Sequence, residues 1–175
     1  MQNYLLKFNA FRRLLLCILF FSLSGTLQAE PSQLKSFTPG SYQQMLTAHK
    51  DQAFMLVIWS LTCPSCVKDM ALLNELHKSR SDIKMVMLAT DELSESPQVQ
   101  ALLAKNNLAD LENWIYADDN TQKLNYEIDP QWYGEQPRTY FFDANHHRVG
   151  ISGVITKADY EALFVKMQKS LQKAP

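Results

Sequence analysis

The chain has 175 residues, 46% of them hydrophobic and 20% charged, with a formal net charge of −1. This balance suits one globular domain with a sizeable core; it excludes a disordered tail and a nucleic-acid binder that works through a basic surplus. Three cysteines are too few to staple a small disulfide-dense fold, so any cysteine chemistry is local.

The first segment has the pattern of a secretory signal. Lys7, Arg12 and Arg13 stand in a stretch without acidic residues, an apolar run follows to Leu23, and small residues lead to Ala29. We read residues 1–29 as a signal peptide and residues 30–175 as one domain. The run is short of the roughly 20 apolar residues of a bilayer span, which makes an uncleaved membrane anchor the weaker alternative. Cys17 leaves with the signal, and no lipobox precedes it. Cys63 and Cys66 remain, exported to a periplasmic or other external space where disulfides persist.

Along the domain the hydrophobic period alternates. Residues 34–38 suit a short strand, and Ser41 suits the N-cap of a helix over 41–49. The unbroken apolar run Phe54–Trp59 predicts a central strand covered on both faces. A helix is expected over 64–79 and a second buried strand over 83–89. Ser96-Pro97 opens a helix to 105, with Ser96 as its cap. A strand over 113–117 and a short helix over 120–126 come next. Strands 139–143 and 149–154 flank a polar hairpin tip with His146 and His147. Thr156 and Asp159 suit a capping box for a last helix reaching 171. The sum is an α/β sandwich, a central mixed sheet with helices on both faces.

Cys63-Pro64-Ser65-Cys66 stands where the first buried strand gives way to a helix. Proline costs nothing in a first turn, and Cys63 at the helix N-terminus meets unpaired N–H groups and a dipole that favour a thiolate. Cys66 lies one turn further in and is better shielded. Cys63 is therefore the attacking sulfur and Cys66 the resolving one. Two competing readings stay open: half of a zinc site completed by His77, His146 or His147, although zinc wants four ligands, and a purely structural bridge. Trp132 and Tyr133, just before Gly134, suit either a rim that grips clients or ordinary packing.

Strand, Trp59 and the Cys-Pro-Ser-Cys helix start resemble the active site of the thioredoxin fold. With Gln136-Pro137-Arg138-Thr139-Tyr140-Phe141-Phe142-Asp143 further on, the domain resembles the exported TlpA-like branch, which includes ResA-like and cytochrome c maturation thioredoxins. The resemblance spans about residues 37–171. It implies a thioredoxin-like sandwich with a TlpA-like central insertion, placed in the long interval between Cys66 and Pro137. It also implies a redox-active Cys63–Cys66 disulfide and a cis Pro137, with Gln136, Pro137 and Arg138 as the substrate-binding strip. A cis X-Pro bond turns the chain sharply and leaves the Gln136 carbonyl and nearby amides free for a client strand. Asp69, three residues after Cys66, stands where the family often has a glutamate. It suits either a proton acceptor for the resolving thiol or a plain first-turn acid complementing the dipole.

The implied protein is a thiol-disulfide oxidoreductase without a cofactor beyond its disulfide and without a metal. Its partners are protein thiols or disulfides and a membrane thiol-disulfide donor or acceptor, and nucleic acid has no part. Departures are visible too. Thr62 stands where the family commonly has tryptophan, Val57 where ordinary thioredoxins bury an acid, and Asp69-Met70-Ala71 where the branch often has Glu-x-Pro. Proline first in the dipeptide is shared by strong oxidants and by reductants; serine is nearer to the reductants' threonine, which favours reduction, with an oxidase of the same fold as the alternative. A peroxidase pocket is disfavoured by Leu56 and Ser60. A copper carrier on this fold has one more residue between its cysteines, and a binding module that keeps its disulfide idle is the remaining alternative.

Overall fold

The computed structural model describes residues 33–80 and 82–171; the signal-peptide reading of residues 1–29 lies outside them. Six strands, β1 (Lys35–Phe37), β2 (Phe54–Trp59), β3 (Lys84–Ala89), β4 (Glu112–Tyr116), β5 (Arg138–Phe142) and β6 (Arg148–Ser152), form one sheet in the order β1-β4-β3-β2-β5-β6. The first four in that order run parallel, while β5 pairs antiparallel with both β2 and β6. Five helices cover it: α1 (Ser41–Ala48), α2 (Pro64–Ser79), α3 (Ser96–Lys105), α4 (Thr121–Ile128) and α5 (Lys157–Leu171).

The period-2 geometry of β2 explains its unbroken apolar sequence. Met55, Val57 and Trp59 enter one core with Met70, Leu73 and Leu76 of α2, Val99 and Leu103 of α3, and Phe164 of α5. Phe54, Leu56 and Ile58 point the other way, to Met45 of α1 and Leu124 and Ile128 of α4. Every β2 side chain is buried, and a core residue of this size contributes about 1.5–3 kcal/mol through burial. Phe54 stacks on Phe142 across the β2–β5 ladder, with ring centroids 4.3 Å apart. The expected mixed-sheet sandwich is the fold found, and α3, β4 and α4 fill the long interval between Cys66 and Pro137.

Several local expectations shift. The N-cap of α1 is Gly40, whose φ of 88° puts it in the left-handed region that suits glycine; Ser41 is the first helical residue, and its hydroxyl accepts from the Thr38 N–H at 2.9 Å. Ser96 likewise lies inside α3, because a 3₁₀ turn at Leu93–Glu95, capped by Glu92, runs straight into the helix. The hairpin tip is less solvated than its polarity suggests: His146 folds back to donate from Nε2 to the His49 carbonyl at 3.1 Å and meets Phe54 edge-on. His147, by contrast with His146, is exposed and paired with Asp143.

Candidate active site

At the end of β2 the Trp59 carbonyl accepts from the Thr90 N–H at 3.0 Å, the last rung toward β3. Residues 60–62 then turn across the strand ends. Asp91, directly after Thr90, fastens this turn: its carboxylate accepts from the Leu61 N–H at 3.0 and 3.1 Å and from the Ser60 hydroxyl at 3.2 Å. The Ser60 oxygen also accepts from the Thr62 N–H at 3.0 Å and lies 2.8 Å from the Thr62 hydroxyl. Asp91 is only 6% exposed. Burial pushes its carboxyl above the ordinary value, the bonds from Leu61 and Ser60 oppose that rise, and the like charge of Glu95 adds to it.

Out of this turn comes Cys63, the N-cap of α2, with Pro64 in the first turn. Its Sγ accepts from the Cys66 N–H at 3.2 Å and lies 3.7 Å from the Ser65 hydroxyl. A sulfur held this way meets the unpaired amides of the helix end, the setting that stabilises a thiolate. Cys63 and Cys66 are joined as a disulfide, their Cα atoms 5.3 Å apart. Cys63 is half-buried, while Cys66 is 2% exposed.

Behind Cys66 lies a small cavity lined by Trp59, Asp69, Pro137, Thr139 and Tyr160 as well as by Cys66 itself. Val57 lines it too, so the sheet offers no acid here. The acid comes from α2 instead: burial pushes the Asp69 carboxyl up, with Lys68 opposing. Burial likewise pushes the Tyr160 phenol to about 12, with a hydrogen bond to Thr139 opposing and the charge of Asp69 adding to the rise. A raised carboxyl beside a buried sulfur is equipped to take or return that sulfur's proton.

The other wall is the Gln136–Pro137 bond, which is cis. Pro137 is buried in the cavity lining, and its carbonyl accepts from the Gly153 N–H at 2.8 Å. The Gln136 carboxamide donates to the Thr90 hydroxyl at 2.6 Å. The Gln136 main chain enters no ladder or turn bond among the described residues. Arg138 follows as the first residue of β5, opposite Ile58 and Ser152. Its guanidinium reaches the half-buried Asp129 carboxylate at 3.3 Å and the Ser152 hydroxyl at 2.7 Å and lies over the Tyr140 ring.

Trp132 is not part of a gripping rim. It is 4% exposed in the core against α1 and α4, and its Nε1 donates to the Glu135 carbonyl. Tyr133, by contrast, is 93% exposed. His77 pairs with Asp110, and the His146–His147 tip sits beside Phe54, at the opposite end of β2 from the cysteines. Thr90, Asp91 and Tyr160 are the site residues the sequence did not announce. For the first two the only signal was a polar pair closing an apolar strand; for Tyr160 there was none.

No family model matches the chain, and no curated protein matches it. Solved structures do. The fold is similar to that of a secreted Mycobacterium tuberculosis disulfide oxidoreductase homologous to E. coli DsbE, at 15% identity over 69% of this chain and 85% of that one, with a TM-score of 0.54. It is also similar to a thiol:disulfide interchange protein of the thioredoxin family from Chlorobium tepidum TLS, at 18% identity over 71% and 83%, TM-score 0.55. A thioredoxin-related protein from Neisseria meningitidis serogroup B matches at 19% over 67% and 85%, TM-score 0.55. The domain therefore has a thioredoxin-like fold, with a Cys63–Cys66 disulfide at the start of its second helix and a cis proline on the wall beside it.

Proposed function

We propose that the domain is an exported thiol-disulfide oxidoreductase that reduces protein clients through a mixed disulfide. The observation that carries this reading is the unequal burial of two joined sulfurs at one helix N-terminus, the outer one reachable and the inner one sealed. In the dithiol form, the Cys63 thiolate attacks one sulfur of a client disulfide. A Cys63–client bond forms, the client bond breaks, and the first client thiolate leaves. Cys66 then gives its proton to the Asp69 carboxylate and attacks Cys63 Sγ. The Cys63–Cys66 bond forms, the second client thiolate departs, and two electrons have passed to the client.

The main chain of Gln136, beside cis Pro137, is free to pair with the client strand, which suits β-strand addition at this wall. Arg138 supports that wall through Asp129 and contributes no free guanidinium. A second thiol pair, carried by a membrane partner, restores the dithiol. The reaction uses the disulfide alone and needs neither metal nor another cofactor. Export rests on the signal-like residues 1–29. It agrees with the secreted protein similar in fold, and no helix among the described residues is long and apolar enough to cross a membrane.

The test is reduction of insulin by the purified domain with dithiothreitol as electron source. Turnover that disappears in Cys63→Ser supports exchange; turnover absent from the wild type, or unchanged in that variant, rejects it. Direction is read from equilibration in graded glutathione buffers. A potential well below the glutathione couple supports reduction, and one well above it makes the domain an oxidase.

A further inference from the structure

Asp91 takes no part in the exchange just described, yet it holds the loop that carries Cys63. Its side-chain partners are donors, the Leu61 N–H to both oxygens and the Ser60 hydroxyl to one, which is the arrangement of an ionised carboxylate. Among the described residues no cation forms an ion pair with it, and the charged neighbour that acts on it is Glu95, also acidic. Leu61 stands two residues before Cys63, so this buried charge lies within about 10 Å of the outer cysteine. Cys63 also caps α2, whose amides and dipole favour its thiolate. Two fields of opposite sign thus act on one sulfur.

We propose that Asp91 is a positioning residue that sets the redox balance of the site: it clamps residues 60–62 and opposes the helix end, so that Cys63 is a less stable thiolate and the disulfide the favoured state. This rests on the exchange reading and extends it to direction. In the equilibrium of the dithiol with oxidised glutathione, which yields the protein disulfide and two reduced glutathiones, every gain in thiolate stability favours the dithiol side. A carboxylate that disfavours the thiolate therefore makes the domain a stronger electron donor. It also gives a reason for a buried, uncompensated carboxylate at this place, which is otherwise costly.

The test compares Asp91→Asn, Asp91→Glu and Ser60→Ala in the full chain. It reads the pH midpoint of Cys63 alkylation by iodoacetamide and the position of the glutathione equilibrium. Asp91→Asn is expected to lower the midpoint by about one pH unit and to move the equilibrium several-fold toward the dithiol. Asp91→Glu keeps the charge and stays near the wild-type midpoint. Ser60→Ala removes one strut without changing charge and moves the midpoint far less. An unchanged or raised midpoint in Asp91→Asn overturns the proposal, as does an equal fall in Ser60→Ala. Should Asp91→Asn not fold, a fall in Asp91→Glu overturns it. A wild type that does not equilibrate with glutathione at all defeats the exchange reading instead.

Discussion

Val57 and Thr139 are paired across the β2–β5 ladder beside the buried Cys66 sulfur, and neither can hold a proton for it at neutral pH. The ionisable groups sharing their cavity are Asp69 and Tyr160, which come from the helices. Of these, the Asp69 carboxyl, though raised by burial, is the stronger acid, while burial pushes the Tyr160 phenol to about 12.

Asp69→Asn is accordingly expected to slow release of client from the Cys63 mixed disulfide about a hundredfold, while alkylation of Cys63 is unchanged. The sign with pH follows from the raised carboxyl. The base form is lost as pH falls through that raised value, so wild-type resolution declines toward acid, and the Asn variant lacks this limb. Stopped-flow measurement of the two steps checks it. Equal slowing of both steps would remove Asp69 from the resolving role.

Far from the cysteines, Glu112 ties β4 to the end of α1. It accepts from His49 Nε2 at 3.0 Å, from Lys35 Nζ at 2.9 Å and from Trp114 Nε1 at 2.8 Å. The His49 bond foremost, with those from Lys35 and Trp114, lowers its pKa to about 2 against the opposing effect of burial. A depressed carboxyl stabilises the fold above its unfolded pKa and ceases to do so as pH falls through about 2. Glu112→Gln is expected to cost roughly 1–3 kcal/mol at pH 7, and the gap to wild type should narrow between about pH 4.5 and 2 in urea unfolding.

Trp132 and Tyr133 are neighbours in sequence with opposite fates. Trp132→Ala is expected to cost about 3–5 kcal/mol by opening the core, whereas Tyr133→Ala should stay within about 0.5 kcal/mol. Denaturant melts separate them. A Trp132→Ala domain with unchanged stability would return that residue to the surface.

Among the described glycines, Gly150 is the one with no room for a methyl group: an added Cβ would run into the Arg138 guanidinium and come within 2.6 Å of the Tyr140 ring. Gly150→Ala is expected to cost about 1–3 kcal/mol and to disturb the Arg138–Asp129 contact behind the cis-proline wall. Arg138→Ala in the same background should relieve part of that cost, and strictly additive losses in the double mutant would argue against the clash.

The fold was legible because β2 is an unbroken apolar run, β3 is apolar after Lys84 and α2 opens on proline, signals that belong to the residues themselves. Helix caps were less so, since a left-handed Gly40 and a 3₁₀ entry at Glu92 competed successfully with Ser41 and Ser96. The reactive pair could be read from spacing and polarity alone. Asp91, Thr90 and Tyr160 could not, because each reaches the site through strand order or helix packing, which no local pattern encodes. Packing likewise decides what residue type leaves open: the α4 face draws Trp132 inward, the packing alternative of the two its sequence allowed, and Asp129 and Tyr140 fix the Arg138 guanidinium.

The central claim is that the outer sulfur alone meets clients. Incubating Cys66→Ala and Cys63→Ala with insulin and resolving the products by non-reducing mass spectrometry tests it most directly. The account predicts that Cys66→Ala accumulates a covalent Cys63–insulin adduct and that Cys63→Ala accumulates none; adducts on Cys66, or equal trapping by both variants, would contradict it.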